Sequence, residues 1–246
     1  MISFSDVARA AYCPRQLYYV RRAEERRIPP EARARIDLAY RYPSLVDAPD
    51  ATLRRLPIRR SPAAYRRNLS RLRERDDYDR LVAPDRTRAF CAGKDCHGRI
   101  HKLLADSGAD GGADDRADSG AGGGADDRAD GGADGDAAPI PVIVSPGEPP
   151  ENGVWEPQAV RSVAAATALS WEHERTVPRA LVEYPSVGVI RSVRLTRRKR
   201  AAYRRALRAA RAIDGPPPRV DDDRCSACEY REQCGTGRRS LRSLLR

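Results

Sequence analysis

Three thiols packed into ten residues, Cys225-x2-Cys228-x5-Cys234, constrain this chain more than any other feature. A Cys-x2-Cys turn aims two thiolates at one soft metal, and a third a turn later makes three ligands. A closed site needs a fourth. Cys13, 212 residues before Cys225, is the candidate, so the fold must bring the two ends of the sequence together. Disulfides are not the expected use of these thiols, because nothing at residues 1–6 reads as a secretory leader. Zinc and an iron–sulfur cluster both suit the spacing. Cys91 and Cys96 with His97 make a second group, Cys-x4-Cys-His around Gly93. It lacks a further ligand and reads as structural.

Charge supplies the second constraint. The 246 residues carry a formal net charge of +11, and the basic side chains are 43 Arg against only Lys94, Lys102 and Lys199. Residues 106–136 run against this trend with 10 Asp, 10 Gly, 7 Ala, 2 Ser and 2 Arg, a net charge of −8. Within them Ala113-Asp114-Asp115-Arg116-Ala117-Asp118 recurs as Ala125-Asp126-Asp127-Arg128-Ala129-Asp130. Such a repeat has no side chains with which to build a core and is expected to be a disordered insertion. The other 215 residues then carry +19. Arginine's planar fork suits phosphate, and a positive field of this size favours nucleic acid or another polyanion. No apolar run is long enough to cross a bilayer, so the chain is expected to be soluble and cytoplasmic, with no membrane partner.

Hydrophobic spacing gives the elements. Ser5 is expected to cap a helix to about residue 11, and Pro14 to start another through about residue 22. Residues 33–45 read as weakly helical. Ser61-Pro62 opens a helix with Tyr65, Leu69 and Leu72 on one face. Residues 87–92 and 99–104 read as strands or a hairpin, and 140–145 as an apolar strand. Glu156-Pro157 opens a helix to about residue 172, with Val160, Val163, Ala164, Thr167 and Trp171 on one side. Residues 180–184 and 187–195 read as strands. Thr196 then caps a helix with an apolar stripe of Tyr203, Ala206, Leu207, Ala210 and Ile213. Its opposite face carries Arg197, Arg198, Arg204, Arg205, Arg208 and Arg211. Interleaved helices and strands of this kind make a mixed α/β domain.

The sequence Tyr12-Cys13-Pro14-Arg15-Gln16-Leu17-Tyr18-Tyr19 resembles the N-terminal cysteine motif of the CRISPR-associated RecB-like exonucleases (the Cas four family). Residues 225–234, CSACEYREQC, resemble that family's closing motif. With the acidic insertion skipped, the resemblance spans nearly the whole chain. It implies a single RecB-like nuclease-type domain over residues 1–246, with 106–136 inserted and 220–238 forming a C-terminal cysteine segment. The implied fold is restriction-endonuclease-like, a mixed sheet flanked by helices with its terminal segments joined at a cluster. The implied ligands of that [4Fe–4S] cluster are Cys13, Cys225, Cys228 and Cys234. Closing a loop of about 200 residues in this way contributes roughly 4–5 kcal/mol by chain entropy, so cluster assembly is expected to be coupled to folding.

The family is similar to the PD-(D/E)XK nucleases. These place a metal-binding Asp on one strand, Glu-x-Lys on the next, and Gln-x-x-x-Tyr on a following helix, around Mg2+ or Mn2+. This chain departs from the pattern. His101 stands at the Asp position, Ile143 at the Glu position and Ser145 at the Lys position, while Gln158 matches but is followed by Ser162 instead of Tyr. No histidine precedes His97, so the family's early His is missing as well. Isoleucine cannot bind a metal, and a lone imidazole holds Mg2+ poorly. Glu148 and Glu151 lie just beyond the degenerate strand, but a metal site needs carboxylates in fixed geometry.

These readings imply an iron–sulfur, DNA-binding protein with an inactivated nuclease site, acting in CRISPR adaptation and antiviral defence or in DNA repair. Its expected partners are DNA ends or single strands, together with adaptation or repair proteins. Arg197, Arg198, Arg204, Arg205 and Arg208 are the candidate DNA contacts. One alternative is an active, metal-dependent single-stranded DNA exonuclease that uses Mg2+ or Mn2+ and displaced residues. Another is an iron–sulfur structural or redox protein without a DNA partner.

Overall fold

A computed structural model describes residues 1–23, 28–104, 138–220 and 223–235. The expected insertion at 106–136 lies outside the described residues, as do 221–222 and 236–238 of the expected C-terminal segment.

The chain opens with a two-residue strand β1 (Ile2–Ser3) and the helices α1 (Phe4–Tyr12) and α2 (Pro14–Arg22). A helical layer follows: α3 (Pro30–Asp37), α4 (Tyr42–Val46), α5 (Asp50–Leu53), α6 (Pro62–Arg73) and α7 (Tyr78–Val82). Next come β2 (Arg86–Thr87), β3 (Phe90–Ala92), β4 (Cys96–Arg99), β5 (Lys102–Leu104) and β6 (Ile140–Val144). The chain ends in α8 (Glu156–Glu172), β7 (Arg179–Tyr184), β8 (Val189–Arg194), α9 (Arg197–Arg211) and α10 (Arg231–Cys234).

The strands form two mixed sheets, one ordered β2-β5-β6-β7-β8 and the other β1-β4-β3. In the larger sheet β6 and β7 run parallel, with α8 as the crossover between them, and the remaining neighbours are antiparallel. All five residues of β6 are buried, as expected for a central strand covered on both faces. Helices cover the two faces. On one side Ile143, Val182, Tyr184 and Val193 pack with Val7 of α1, Val163 and Ala164 of α8, and Leu207 of α9. On the other, Val142, Val144, Leu181 and Ile190 pack with Tyr42, Leu53, Tyr65 and Leu69 from the helical layer.

Several local expectations change. The first helix is capped by Ser3 rather than Ser5: Ser3 Oγ accepts from the Asp6 N–H at 3.0 Å, and the buried Phe4 becomes the first helical residue. Residues 33–45 are not one helix, since α3 begins at Pro30, passes through a 3-10 turn at Leu38–Tyr40, and a new helix starts at Tyr42. Residues 87–92 and 99–104 each cross from one sheet to the other. Arg88 N–H donates to the His101 carbonyl and Ile100 N–H to the Ala89 carbonyl, so both strands bend together. Trp171 is 60 % exposed although it was expected on the packed side of α8. It is followed by the exposed Glu172 and His173 at the end of the helix. Caps at Ser61 and Thr196 form as expected, and Tyr203, Ala206, Leu207 and Ala210 are the buried stripe of α9.

Gly93 shows why the hairpin reaches so close to α8. A Cβ there would lie 2.6 Å from the Ala168 backbone Cα, so only glycine permits that approach.

Candidate functional site

The segment around Cys13 meets residues 217–234. Cys13 is the extended residue between α1 and α2, held by its N–H to the Arg9 carbonyl at 2.7 Å, with Pro14 starting the next helix. The C-terminal segment folds as short turns: Cys228 N–H donates to the Cys225 carbonyl, Arg231 N–H to the Cys228 carbonyl, and Cys234 N–H to the Tyr230 carbonyl. Gly235 ends α10 in the left-handed region at φ 75°, the conformation glycine adopts without strain. Cys13, Cys225, Cys228 and Cys234, all half-buried, line one pocket with Arg15, Gln16 and Tyr19.

Contacts between the ends surround this pocket. Arg15 donates to the Pro217 carbonyl at 2.6 Å and to the Tyr19 hydroxyl at 3.3 Å. Tyr19 donates to the Gln233 carbonyl at 3.1 Å and stacks on Tyr230 with ring centroids 5.6 Å apart. Tyr12 and Arg224 exchange hydrogen bonds through each other's carbonyls. Gln16 Nε2 lies 3.8 Å from Cys228 Sγ. Burial works against the Arg15 charge, but Tyr19 and the Cys234 sulfur beside it outweigh that and raise its pKa. Among the described residues no group of three or more His, Cys, Asp or Glu side chains is arranged to hold a metal ion.

A second constellation sits where β5, β6 and the start of α8 converge. His101 N–H donates to the Val142 carbonyl, and Val144 N–H donates to His101 Nδ1 at 3.0 Å. Gln158 Nε2 donates to Ser145 Oγ at 3.4 Å. Ile143 is 1 % exposed and belongs to the apolar cluster on the same side of the sheet as α8. Strand alternation puts His101, Ile143 and Ser145 on that side. The structure thus brings together His101, Ile143, Ser145 and Gln158, four of the positions compared above with a nuclease pattern, and none of them carries a carboxylate. His101 is pushed down to about 3, first by burial and then by the charges of Arg161, Lys102 and Arg88. It is neutral at physiological pH. Nδ1 accepts the Val144 N–H, so the ring hydrogen sits on Nε2.

Of the two loop carboxylates, one is paired and the other is exposed. Glu148 is held by Arg59 at 3.1 Å and Arg60 at 2.8 Å, which keep its pKa low, and Glu151 is exposed. Glu183 projects to the opposite face of the sheet. There the fully buried Lys102 ammonium stands 2.9 Å from one of its carboxylate oxygens, and Tyr42 donates to the other at 2.8 Å. Cys91 and Cys96 are buried in the apolar cluster, Cys96 Sγ lies 3.2 Å from the Tyr203 hydroxyl, and burial pushes the Cys91 thiol up to about 12. Both are packing residues.

On α9, Arg197, Arg198, Arg204, Arg205, Arg208 and Arg211 are all exposed. Arg205 pairs with Glu156 at 2.8 Å and Arg211 with Asp95 at 2.7 Å, whereas Arg198, Arg204 and Arg208 have no acidic partner among the described residues. No described helix is long and apolar enough to cross a membrane.

Sequence reasoning overlooked Arg161, the one charged residue between Ala159 and Leu169 in the buried part of α8. The signal was available: a single arginine inside an alanine- and valine-rich run.

Compared with protein-family models and with curated proteins, the sequence matches none.

Proposed function

We propose that this chain is an iron–sulfur, DNA-binding protein built on a restriction-endonuclease-like domain whose nuclease site is inactivated. The observation that carries the reading is the single pocket lined by Cys13 and the three C-terminal cysteines. A [4Fe–4S] cluster takes four thiolates, each on its own iron, and the donor set here is four cysteine sulfurs and no hard oxygen ligand. The four thiols line one pocket without being arranged as a metal site, so Cys13, Cys225, Cys228 and Cys234 would have to draw together to hold the cluster, whose chemistry there would be structural: tying the two segments and coupling assembly to folding. Arg15 supplies positive charge beside Cys234.

The second constellation supports the inactivated reading. A metal-dependent nuclease needs carboxylates on Mg2+ or Mn2+ to generate its nucleophile and stabilise the scissile phosphate. His101 is neutral, Ile143 is buried hydrocarbon, and Ser145 is occupied by Gln158 and the Gly147 N–H. DNA binding is supported by the net charge and by the exposed Arg198, Arg204 and Arg208. The partner class is DNA ends or single strands, in an adaptation or repair complex.

Two assays on the anaerobically purified protein test this reading. Labelled single-stranded DNA is expected to bind with an affinity that falls steeply with salt, and to survive incubation with Mn2+. Cleavage by the wild type at the rate of an Ile143→Glu, Ser145→Lys variant would establish an active enzyme instead. Absence of DNA binding at low salt would leave a structural or redox protein.

A further inference from the structure

Arg161 has no counter-charge. Its guanidinium makes no ion pair or hydrogen bond with any described residue, and Nε is shut off from solvent without a partner. Burial pulls its pKa down to about 10, which leaves it charged at neutral pH. Arg161 is half-buried, and a partly desolvated charge without a partner is costly. On the same face of α8, Gln158 Oε1 and Ser162 Oγ are also buried and unpartnered. Three polar side chains within five residues thus share one deficit.

What surrounds them selects the sign of a ligand. Arg161 is close enough to contribute to the lowering of the His101 pKa, and the hydrogen on His101 Nε2 is a donor. Ser145 adds a hydroxyl. Gln158 currently donates to Ser145. Rotating its amide by half a turn would let Oε1 take the serine hydroxyl and turn Nε2 outward. Gln158, Arg161 and Ser162 lie in the first two turns of the 17-residue helix α8, the positive end of its dipole. The local charge repels a divalent cation and attracts an oxyanion, for which the arginine fork is matched.

We infer that Arg161, assisted by Gln158 and His101, binds a phosphodiester group of the nucleic-acid backbone, so that this face grips phosphate directly where a nuclease would use a metal ion. The inference rests on the DNA-binding reading above and adds the residue and the chemistry of the contact.

The full chain is tested as wild type, Arg161→Met, Arg161→Lys, and an Arg204→Gln, Arg208→Gln control on α9. In thermal unfolding, inorganic phosphate at constant ionic strength is expected to raise the wild-type Tm relative to chloride. Arg161→Met is expected to unfold no lower than wild type in chloride and to gain nothing from phosphate. Arg161→Lys keeps the charge but loses the fork, and should retain part of the gain. With labelled single-stranded DNA in EDTA, Arg161→Met is expected to bind roughly 10–100-fold more weakly, the scale of one lost charge-assisted contact. Equal phosphate stabilisation of wild type and Arg161→Met overturns the inference. Stabilisation through Arg161 with unchanged DNA affinity identifies a free-oxyanion site and overturns the nucleic-acid assignment. DNA affinity that falls only in the α9 control overturns it while sparing the DNA-binding reading; a wild type that binds no DNA removes both.

Discussion

Lys102 gives the sharpest prediction about stability. Its side chain is fully buried, and its ammonium donates to the Ala39 carbonyl at 2.7 Å, the Leu81 carbonyl at 2.8 Å and Glu183 at 3.2 Å. The rings of Tyr40 and Tyr42 lie 5.2 and 5.3 Å from it. This one charge ties β5 to β7 and to the helical layer. Lys102→Met preserves the stem and removes the charge, leaving a buried carboxylate and two carbonyls without their donor. Burial already raises the Glu183 pKa, against the opposing pull of Lys102, so losing the ammonium drives the acid further toward its neutral form. Breaking a buried pair on one side costs roughly 3–5 kcal/mol. At about 2–4 °C per kcal/mol for a chain of this size, Tm should fall by roughly 6–20 °C. Urea and thermal unfolding followed by circular dichroism read this directly. The double variant Lys102→Met, Glu183→Leu should recover part of the loss, because replacing both charges costs less than stranding one. A Lys102→Met protein within about 1 kcal/mol of wild type would refute the reasoning.

Two further outcomes are expected. The unfolded state protonates His101 near its ordinary pKa of 6.5, whereas the folded state holds it to about 3. The stabilisation from neutral His101 is therefore present above about pH 6.5 and lost as pH falls toward 3, with a slope of up to about 1.4 kcal/mol per pH unit for one proton. Urea titrations between pH 7 and 4 should show a shallower acid limb in His101→Gln; identical limbs would remove His101 as the source. Gly93→Ala should destabilise by roughly 1–3 kcal/mol, because the new methyl meets the Ala168 backbone at 2.6 Å and backbone cannot swing aside. A Tm equal to wild type would show that the hairpin can retreat from α8.

Legibility in the sequence tracked how local each determinant is. The helix α8 and the arginine-faced α9 could be read from caps and 3.6-residue spacing, and β6 from its unbroken apolar run, because each is specified by its own residues. The strands β2 to β5 could not be bounded. They are two to four residues long, and what divides them is pairing with two different sheets. Cys13 was marked as a ligand by chemistry and resemblance rather than periodicity, and the fold sets it beside partners more than 200 residues away. The Lys102–Glu183 pair left no local trace, since its members sit on strands separated by β6. Arg161 was overlooked for the opposite reason: one arginine among 43 draws no notice until the helix around it proves buried.

Iron, acid-labile sulfide and zinc measured in anaerobically purified wild type, Cys13→Ala and Cys228→Ala test the reading of the joined chain ends most directly. About four irons and four sulfides per wild-type chain, with brown visible absorbance lost in both variants, are the expected result. Stoichiometric zinc without sulfide, or a Cys13→Ala protein that keeps its full iron content, would contradict it.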